Sequence, residues 1–150
     1  MFERLSEQLA IVATIDPEAY TTAATVTTDV FDMSVHHEAA FVIMTGTVAA
    51  NTTIDFDVQE GTGTTAGTFN TATAVTSITQ LAAAADSDKQ VVVTVRGEDM
   101  ADGYRYLRGV LTIGGTAGTA DLGAVVLADR ARYKPASVGD LASVDEIVDA

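Results

Sequence analysis

The sequence predicts an all-β protein: an antiparallel β-sandwich or jelly roll with a short N-terminal helix or arm and an extended C-terminal tail. Three observations favour this class. Apolar and polar residues alternate in short runs, threonine, valine and alanine dominate from Thr21 onward, and turns rich in small residues separate the runs. A chain of 150 residues fits one domain. Folding at this size removes about two thirds of the unfolded surface from water.

The composition divides the chain into three segments, and the first of them is predicted to be a helix or arm. Leu5, Leu9 and Val12 recur at helical spacing, and Asp16-Pro17 then interrupts the pattern. The three segments are an N-terminal arm or helix (1–20), a β-sandwich domain (21–136) and an acidic amphipathic tail (137–150).

Eight strands are predicted within the sandwich domain. The alternation is cleanest in residues 53–60, where Ile54, Phe56 and Val58 face one way and polar residues face the other. The eight predicted strands lie roughly at 23–28, 30–33, 39–48, 53–60, 73–80, 90–96, 104–113 and 122–127.

Two connections in the domain have unusual compositions. Residues 61–70 are rich in glycine and threonine, which predicts a surface excursion where function could lie. Residues 81–89 contain an alanine run, which favours a short helical turn.

The C-terminal tail changes character after Pro135. Leu141, Val144 and Ile147 recur at near-helical spacing among acidic residues, and Ser143-Val-Asp-Glu146 matches a capping box. Two alternatives stay open at this point: a loosely held end, or an arm that docks on a neighbouring molecule.

Composition excludes several classes of partner. With 21 acidic and 8 basic residues, the formal net charge is −13. Such a surface repels phosphate backbones and anionic lipids, so we expect neither a nucleic-acid nor a membrane partner. The absence of cysteine excludes disulfides and thiolate metal sites. The N-terminus has acids where a secretory signal is basic, and no apolar run is long enough to span a bilayer.

No residue pattern predicts catalysis. His36 and His37 are the only imidazoles, and adjacent side chains on an extended strand point to opposite faces, which disfavours shared metal ligation. The acidic pairs Asp86/Asp88 and Asp99/Asp102 lack the remainder of a calcium loop and are interpreted as solvated turns, although a cation shared between subunits stays open. We therefore expect no enzymatic activity, no cofactor, and no catalytic or metal-binding residues.

Several segments together carry a family resemblance. They are Val30-Phe-Asp-Met-Ser34, Ile78-Thr-Gln-Leu81, Asp88-Lys-Gln-Val-Val-Val-Thr-Val-Arg96, Tyr104-Arg-Tyr-Leu-Arg108 and Arg132-Tyr-Lys-Pro-Ala136. The pattern resembles small proteins encoded among the head genes of tailed bacteriophages, which include capsid decoration, or cement, proteins. The resemblance covers about Val30 to Ala136 and leaves out the acidic tail.

The resemblance implies an all-β subunit bound to the outside of an icosahedral phage head. It also implies the major capsid protein and copies of itself as partners, often as a trimer, and a place on the capsid exterior after synthesis in the bacterial cytoplasm. Residues that could contact partners lie in both arms, in the 61–70 loop and after the last strand. They are Phe2, Leu5, Leu9, Val12, Phe69, Tyr133, Leu141, Val144 and Ile147.

Two other functions remain open from the sequence. One is another virion role, as a tail-tube, head-completion or fibre-base subunit. The other, less favoured, is a carbohydrate-binding adhesive module that uses the 61–70 loop, where Phe69 is the only aromatic residue.

Overall fold

The computed structural model describes residues 4–71, 73–82, 84–116, 118–129, 131–132 and 135–148. Within them, two antiparallel sheets pack face to face as a β-sandwich, which confirms the predicted fold class. The strands are β1 Ala10–Tyr20, β2 Ala24–Thr27, β3 Phe31–Asp32, β4 Glu38–Val48, β5 Thr52–Gly61, β6 Thr76–Ser77, β7 Leu81–Ala82, β8 Gln90–Arg96, β9 Tyr106–Gly115 and β10 Ala120–Asp129. One helix, α1 Leu5–Gln8, precedes them, and short 3-10 turns cover Ala66–Thr68, Ala84–Asp86, Gly97–Asp99 and Ala136–Gly139.

The strand order is that of a jelly roll. Sheet A has the order β1-β10-β4-β8, and sheet B has the order β2-β9-β5-β6, with β3 also on β9 and β7 also on β5. If β2 with β3 and β6 with β7 each count as one strand, the eight strands pair in a nested way: first with eighth, second with seventh, third with sixth, and fourth with fifth. A long hairpin folded over into two sheets has this pairing, and the two-sheet jelly roll has eight strands.

The core lies between the sheets and follows the predicted alternation. Ile54, Phe56 and Val58 of β5 are buried, and their polar neighbours face outward. Phe41 of sheet A packs between two rings of sheet B, with its ring centroid 5.9 Å from that of Phe31 and 5.7 Å from that of Phe56. Tilted aromatic pairs at this separation stabilise a core beyond the area that they bury.

The helix predicted for the N-terminal segment is wrong beyond Gln8. Residues 10–20 form β1, which pairs with β10 at the edge of sheet A. Two breaks in register within β1 disturb its two-residue period, and the first of them allows the neighbours Val12 and Ala13 both to be buried. Of the three residues at helical spacing, Leu5 lies in α1, Leu9 follows α1 directly, and only Val12 lies in β1. Pro17 is tolerated because it lies at the second break of an edge strand.

The near-helical spacing in the tail and the capping-box match at Ser143–Glu146 do not correspond to a helix in the structure. The described tail residues after Gly139 contain a turn and no helix. The tail instead begins along the outer edge of β1: the Ile11 amide donates to Asp140 Oδ1 at 2.7 Å, and the Leu141 amide donates to the Ile11 carbonyl at 2.8 Å. A single short helix is marginal without an apolar surface to pack against.

The remaining predictions need smaller changes. The strand predicted at 73–80 is reduced to the short β6, followed by β7. The helical turn predicted in 81–89 is present as the 3-10 turn Ala84–Asp86. In the described part of the chain, no helix is long and apolar enough to cross a bilayer.

A glycine in the centre of sheet B, Gly109, makes room for the aromatic ring of Phe56. Gly109 of β9 lies opposite Val58, and a methyl group on Gly109 would come within 2.3 Å of Cζ of Phe56. The Phe56 ring therefore packs directly on the backbone of β9.

We predict that Gly109→Ala destabilises the protein by about 1 to 3 kcal/mol, because the added methyl group forces the Phe56 ring out of its packed position. Urea denaturation measures the change. Gly97→Ala is the matched control, since a Cβ at Gly97 has no neighbour within 4 Å. Equal losses of stability in the two variants would contradict this account of the core.

Candidate interaction surface

The centre of the outer face of sheet A is apolar. Because Phe41 and Ile43 of β4 point into the core, Val42 and Met44 point outward. The strand register places Val42 beside Val125 of β10 on one side and beside Val92 of β8 on the other. We call these three residues the valine row. The apolar face comprises the valine row together with Ala40, Met44 and Leu127.

Two residues of the apolar face are well exposed: Val92 has 61% of its surface accessible, and Met44 has 42%. The other members are half-buried by their neighbours in the sheet. Contiguous apolar surface on a soluble protein marks sites of interaction with other molecules.

The outer face of sheet B is polar by contrast. Arg108 of β9 donates to Gln59 Oε1 at 3.0 and 2.8 Å, and Gln80 donates to the Asp55 carboxylate at 2.9 Å. Ser77 donates to Asp57 Oδ1 at 2.5 Å. Such a network suits a solvated sheet face. The two outer faces of the sandwich therefore differ in character, and sheet A presents the surface suited to docking.

The structure divides the predicted partner-binding residues into three groups. Leu5 and Ile147 are exposed, whereas Leu9, Leu141 and Val144 are half-buried. Val12 and Phe69 are only 4% and 7% exposed, so their predicted contacts with a partner are corrected to contacts within the chain. Phe2 and Tyr133 lie outside the described residues. The structure brings α1 and the turn Ala136–Gly139 together at one end of β1.

Phe69 is buried because its loop folds back on the domain. The Thr62 amide donates to the Thr68 carbonyl at 3.1 Å, and a methyl group on Gly61 would meet the Phe69 ring at 2.9 Å. The guanidinium carbon of Arg108 lies 4.2 Å from the centroid of the same ring. The loop therefore offers no exposed aromatic platform for a sugar, and the carbohydrate-binding alternative loses its support.

A polar pocket of about 490 Å³ lies at the end of sheet A, between the loop before β4 and the turn after β8. It is lined by His36, His37, Arg96, Gly97, Glu98 and Arg132. Backbone hydrogen bonds join its walls, from the Gly97 amide to the His37 carbonyl at 3.1 Å and from the Arg132 amide to the Val35 carbonyl at 2.9 Å. Among the described residues, no group of three or more potential metal ligands converges here or elsewhere.

His36 is the buried member of this pocket, with 3% of its surface accessible. Its Nδ1 atom has no hydrogen-bond partner among the described residues. Burial lowers the pKa of the imidazole, and the Asp32 carboxylate acts in the opposite direction. The side chain thus favours the neutral form and packs under the end of the sheet, with the backbone of Gly139 close to its Nε2 edge.

The residues of the apolar face were not predicted as a site. The available signal was the run Val91-Val92-Val93, in which apolar residues do not alternate with polar ones. A strand that is apolar on both sides is typical of a sheet covered on both faces. The run alone does not show which side of the strand faces the core, because that depends on the register with β4.

Comparison with known proteins shows a fold and no family. No family model matches the chain, and no curated protein matches it. The chain is similar to a protein chain in the structure of infectious bursal disease virus, Gx strain, with a TM-score of 0.56 and 9% identity, over 87% of this chain and 34% of that one. A chain of the Gt strain of the same virus gives a TM-score of 0.49 and 10% identity, over 87% and 35%. This chain spans about a third of the length of either, and at such identities the likeness shows the fold alone.

We predict that His36 makes stability depend on pH. Because the pKa of His36 is lower in the folded protein than in the unfolded chain, its contribution to stability is present above about pH 6.5 and is lost as the pH falls through the folded pKa. Urea denaturation between pH 7.5 and 5 should show a smaller loss of stability for His36→Gln than for the wild type. Identical losses would show that His36 is not responsible.

Proposed function

We propose that the protein is a virion structural protein of the decoration, or cement, type, which binds the outer surface of an icosahedral phage head and stabilises it. The observation that carries the proposal is the apolar outer face of sheet A on an otherwise strongly acidic chain. Its proposed partners are the major capsid protein and further copies of itself. The trimer implied by the family resemblance stays a prediction.

The charge and the apolar face have complementary effects in this role. A net charge of −13 disfavours non-specific clumping of free copies, while the uncharged apolar face can be buried on a shell at a gain of about 25 cal/mol per Å² of apolar area. Many equivalent sites on one shell also let modest contacts add through effective concentration. No covalent chemistry is needed for this function, and we propose that the protein has no catalytic activity.

The fold is compatible with this proposal without selecting it. Two-sheet jelly rolls occur in viral capsid proteins, and also in lectins and cupins, so the site must decide between functions. The likeness to a chain of a virus structure supports a virion component. The buried Phe69 removes the feature that would favour a lectin-like role.

We predict that Met44→Asp weakens binding to expanded, undecorated phage heads roughly ten- to a hundredfold, because it places a charge on the face to be buried. Co-sedimentation of purified protein with such heads measures the affinity. Thr25→Asp adds the same charge on the exposed outer side of sheet B and should bind as the wild type does. Equal affinities for the wild type and Met44→Asp would remove sheet A from the proposal, and no binding by the wild type would overturn the function itself.

We predict that truncation after Leu141 also weakens head binding, since it removes the predicted docking residues Val144 and Ile147. The shortened protein keeps the contacts of Asp140 and Leu141 with Ile11, so the edge of β1 stays covered. The same co-sedimentation measurement applies, with thermal unfolding as a check on the fold. Undiminished binding by a stably folded variant would exclude the tail as a docking arm.

A further inference from the structure

The two edges of sheet A are protected differently. At the β1 edge, side chains and the tail cap the backbone: Asp140 and Leu141 hydrogen-bond to Ile11, and the Thr14 amide donates to Asp29 Oδ2 at 3.1 Å. At the other edge, no strand within the described residues pairs with the outer side of β8. Open strand edges are templates for pairing with another chain, so proteins normally block them.

The register identifies which backbone groups of β8 face this open edge. The Thr45 amide donates to the Lys89 carbonyl at 2.9 Å, and the Gly97 amide donates to the His37 carbonyl at 3.1 Å. In an antiparallel ladder these bonds alternate along the strand, so the odd-numbered residues of β8 bond to β4. The backbone groups of Gln90, Val92 and Thr94 therefore point outward. The next outward amide, that of Arg96, already donates to Asp99 Oδ2 at 2.8 Å.

The side chains of β8 also favour pairing. Gln90–Arg96 contains no acidic residue, although the chain carries 21, so this edge escapes much of the repulsion between copies. Its exposed centre is Val92, and the strand has neither a proline nor a bulge to block pairing. Beside it, an open groove of about 480 Å³ lies between the two sheets and is lined in part by Ile78, Leu81, Val91 and Val93.

We propose that two copies of this chain pair through their β8 edges, antiparallel and about a two-fold axis at Val92, to form one continuous sheet. In this register Gln90 of each copy lies opposite Thr94 of the other, and Arg96 of each lies beside Asp88 of the other. Outward-facing backbone groups bond across the centre of the pairing, and at each end Arg96 also keeps its ion pair with Glu98 of its own chain at 3.3 Å. The isologous contact closes on itself, so it does not propagate into a fibre.

The valine row explains why Val92 is the favoured centre. Because Val125, Val42 and Val92 lie side by side across sheet A, a two-fold axis at Val92 continues the row into the second copy without a break. The pairing therefore doubles the apolar face. It also brings Val91 and Val93 of the second copy over the mouth of the groove. The pairing does not depend on the virion role, since it concerns copies of the chain in solution.

The absence of native cysteine allows a direct test. In a hydrogen-bonded antiparallel pair the opposed Cα atoms are about 5.5 Å apart, a distance that a disulfide can span. We expect Val92→Cys in the full chain to form a disulfide-linked dimer under mild oxidation. Thr94→Cys is the matched control on the same strand and face, and it should cross-link at least tenfold more slowly, because its opposite residue is Gln90. Faster cross-linking of Thr94→Cys would overturn the register.

A second variant tests the pairing without cross-linking. Val92→Pro removes an outward amide, while the ladder bonds from the odd-numbered residues to β4 remain. Sedimentation equilibrium should show that this variant has half the native mass of the wild type, with an unchanged circular dichroism spectrum. If the variant loses that spectrum, Val92→Lys provides the same test by placing a charge at the edge. An unchanged native mass in a folded variant, or absence of cross-linking in Val92→Cys, would overturn the proposal.

Discussion

The packing of sheet A on sheet B around Phe41 determines the rest of this molecule. Phe41 points inward between Phe31 and Phe56, and since side chains alternate along a strand, its inward position fixes Val42 and Met44 as outward residues. Through their register with β4, the residues of β10 and β8 that lie beside Val42 and Met44 also face outward. One aromatic contact in the core thus decides which side chains form the apolar face, and a shift of one residue in register would reverse both faces.

The sequence was most informative where the alternation was strong and the strand was regular. Residues 53–60 were predicted correctly, because their inward and outward sides differ sharply in polarity. β1 was missed because the helical spacing of Leu5, Leu9 and Val12 runs from α1 into the start of β1, and because the register breaks in β1 interrupt its two-residue period. The attachment of the tail could not be predicted, because its start is fixed by hydrogen bonds between Asp140, Leu141 and Ile11, which are far apart in the chain, and periodicity is a local signal.

The candidate surface was harder to predict than the fold. The sequence directed attention to apolar residues near both ends and to Phe69, but Val12 and Phe69 are used within the chain. Val92 and Met44 were not singled out, because an apolar residue in a strand is assigned to the core unless the register with its neighbours is known. The pocket at His36 and Arg96 was not predicted for a similar reason. It lies between loops that only the nested strand order brings together.

The attachment of the tail to the β1 edge has a practical consequence. β1 and β8 form the opposite margins of sheet A, and the hydrogen bonds of Asp140 and Leu141 direct the outgoing chain along the β1 margin. Because the tail covers the outer side of β1, the first strand cannot separate from the sheet unless these bonds to Ile11 also break.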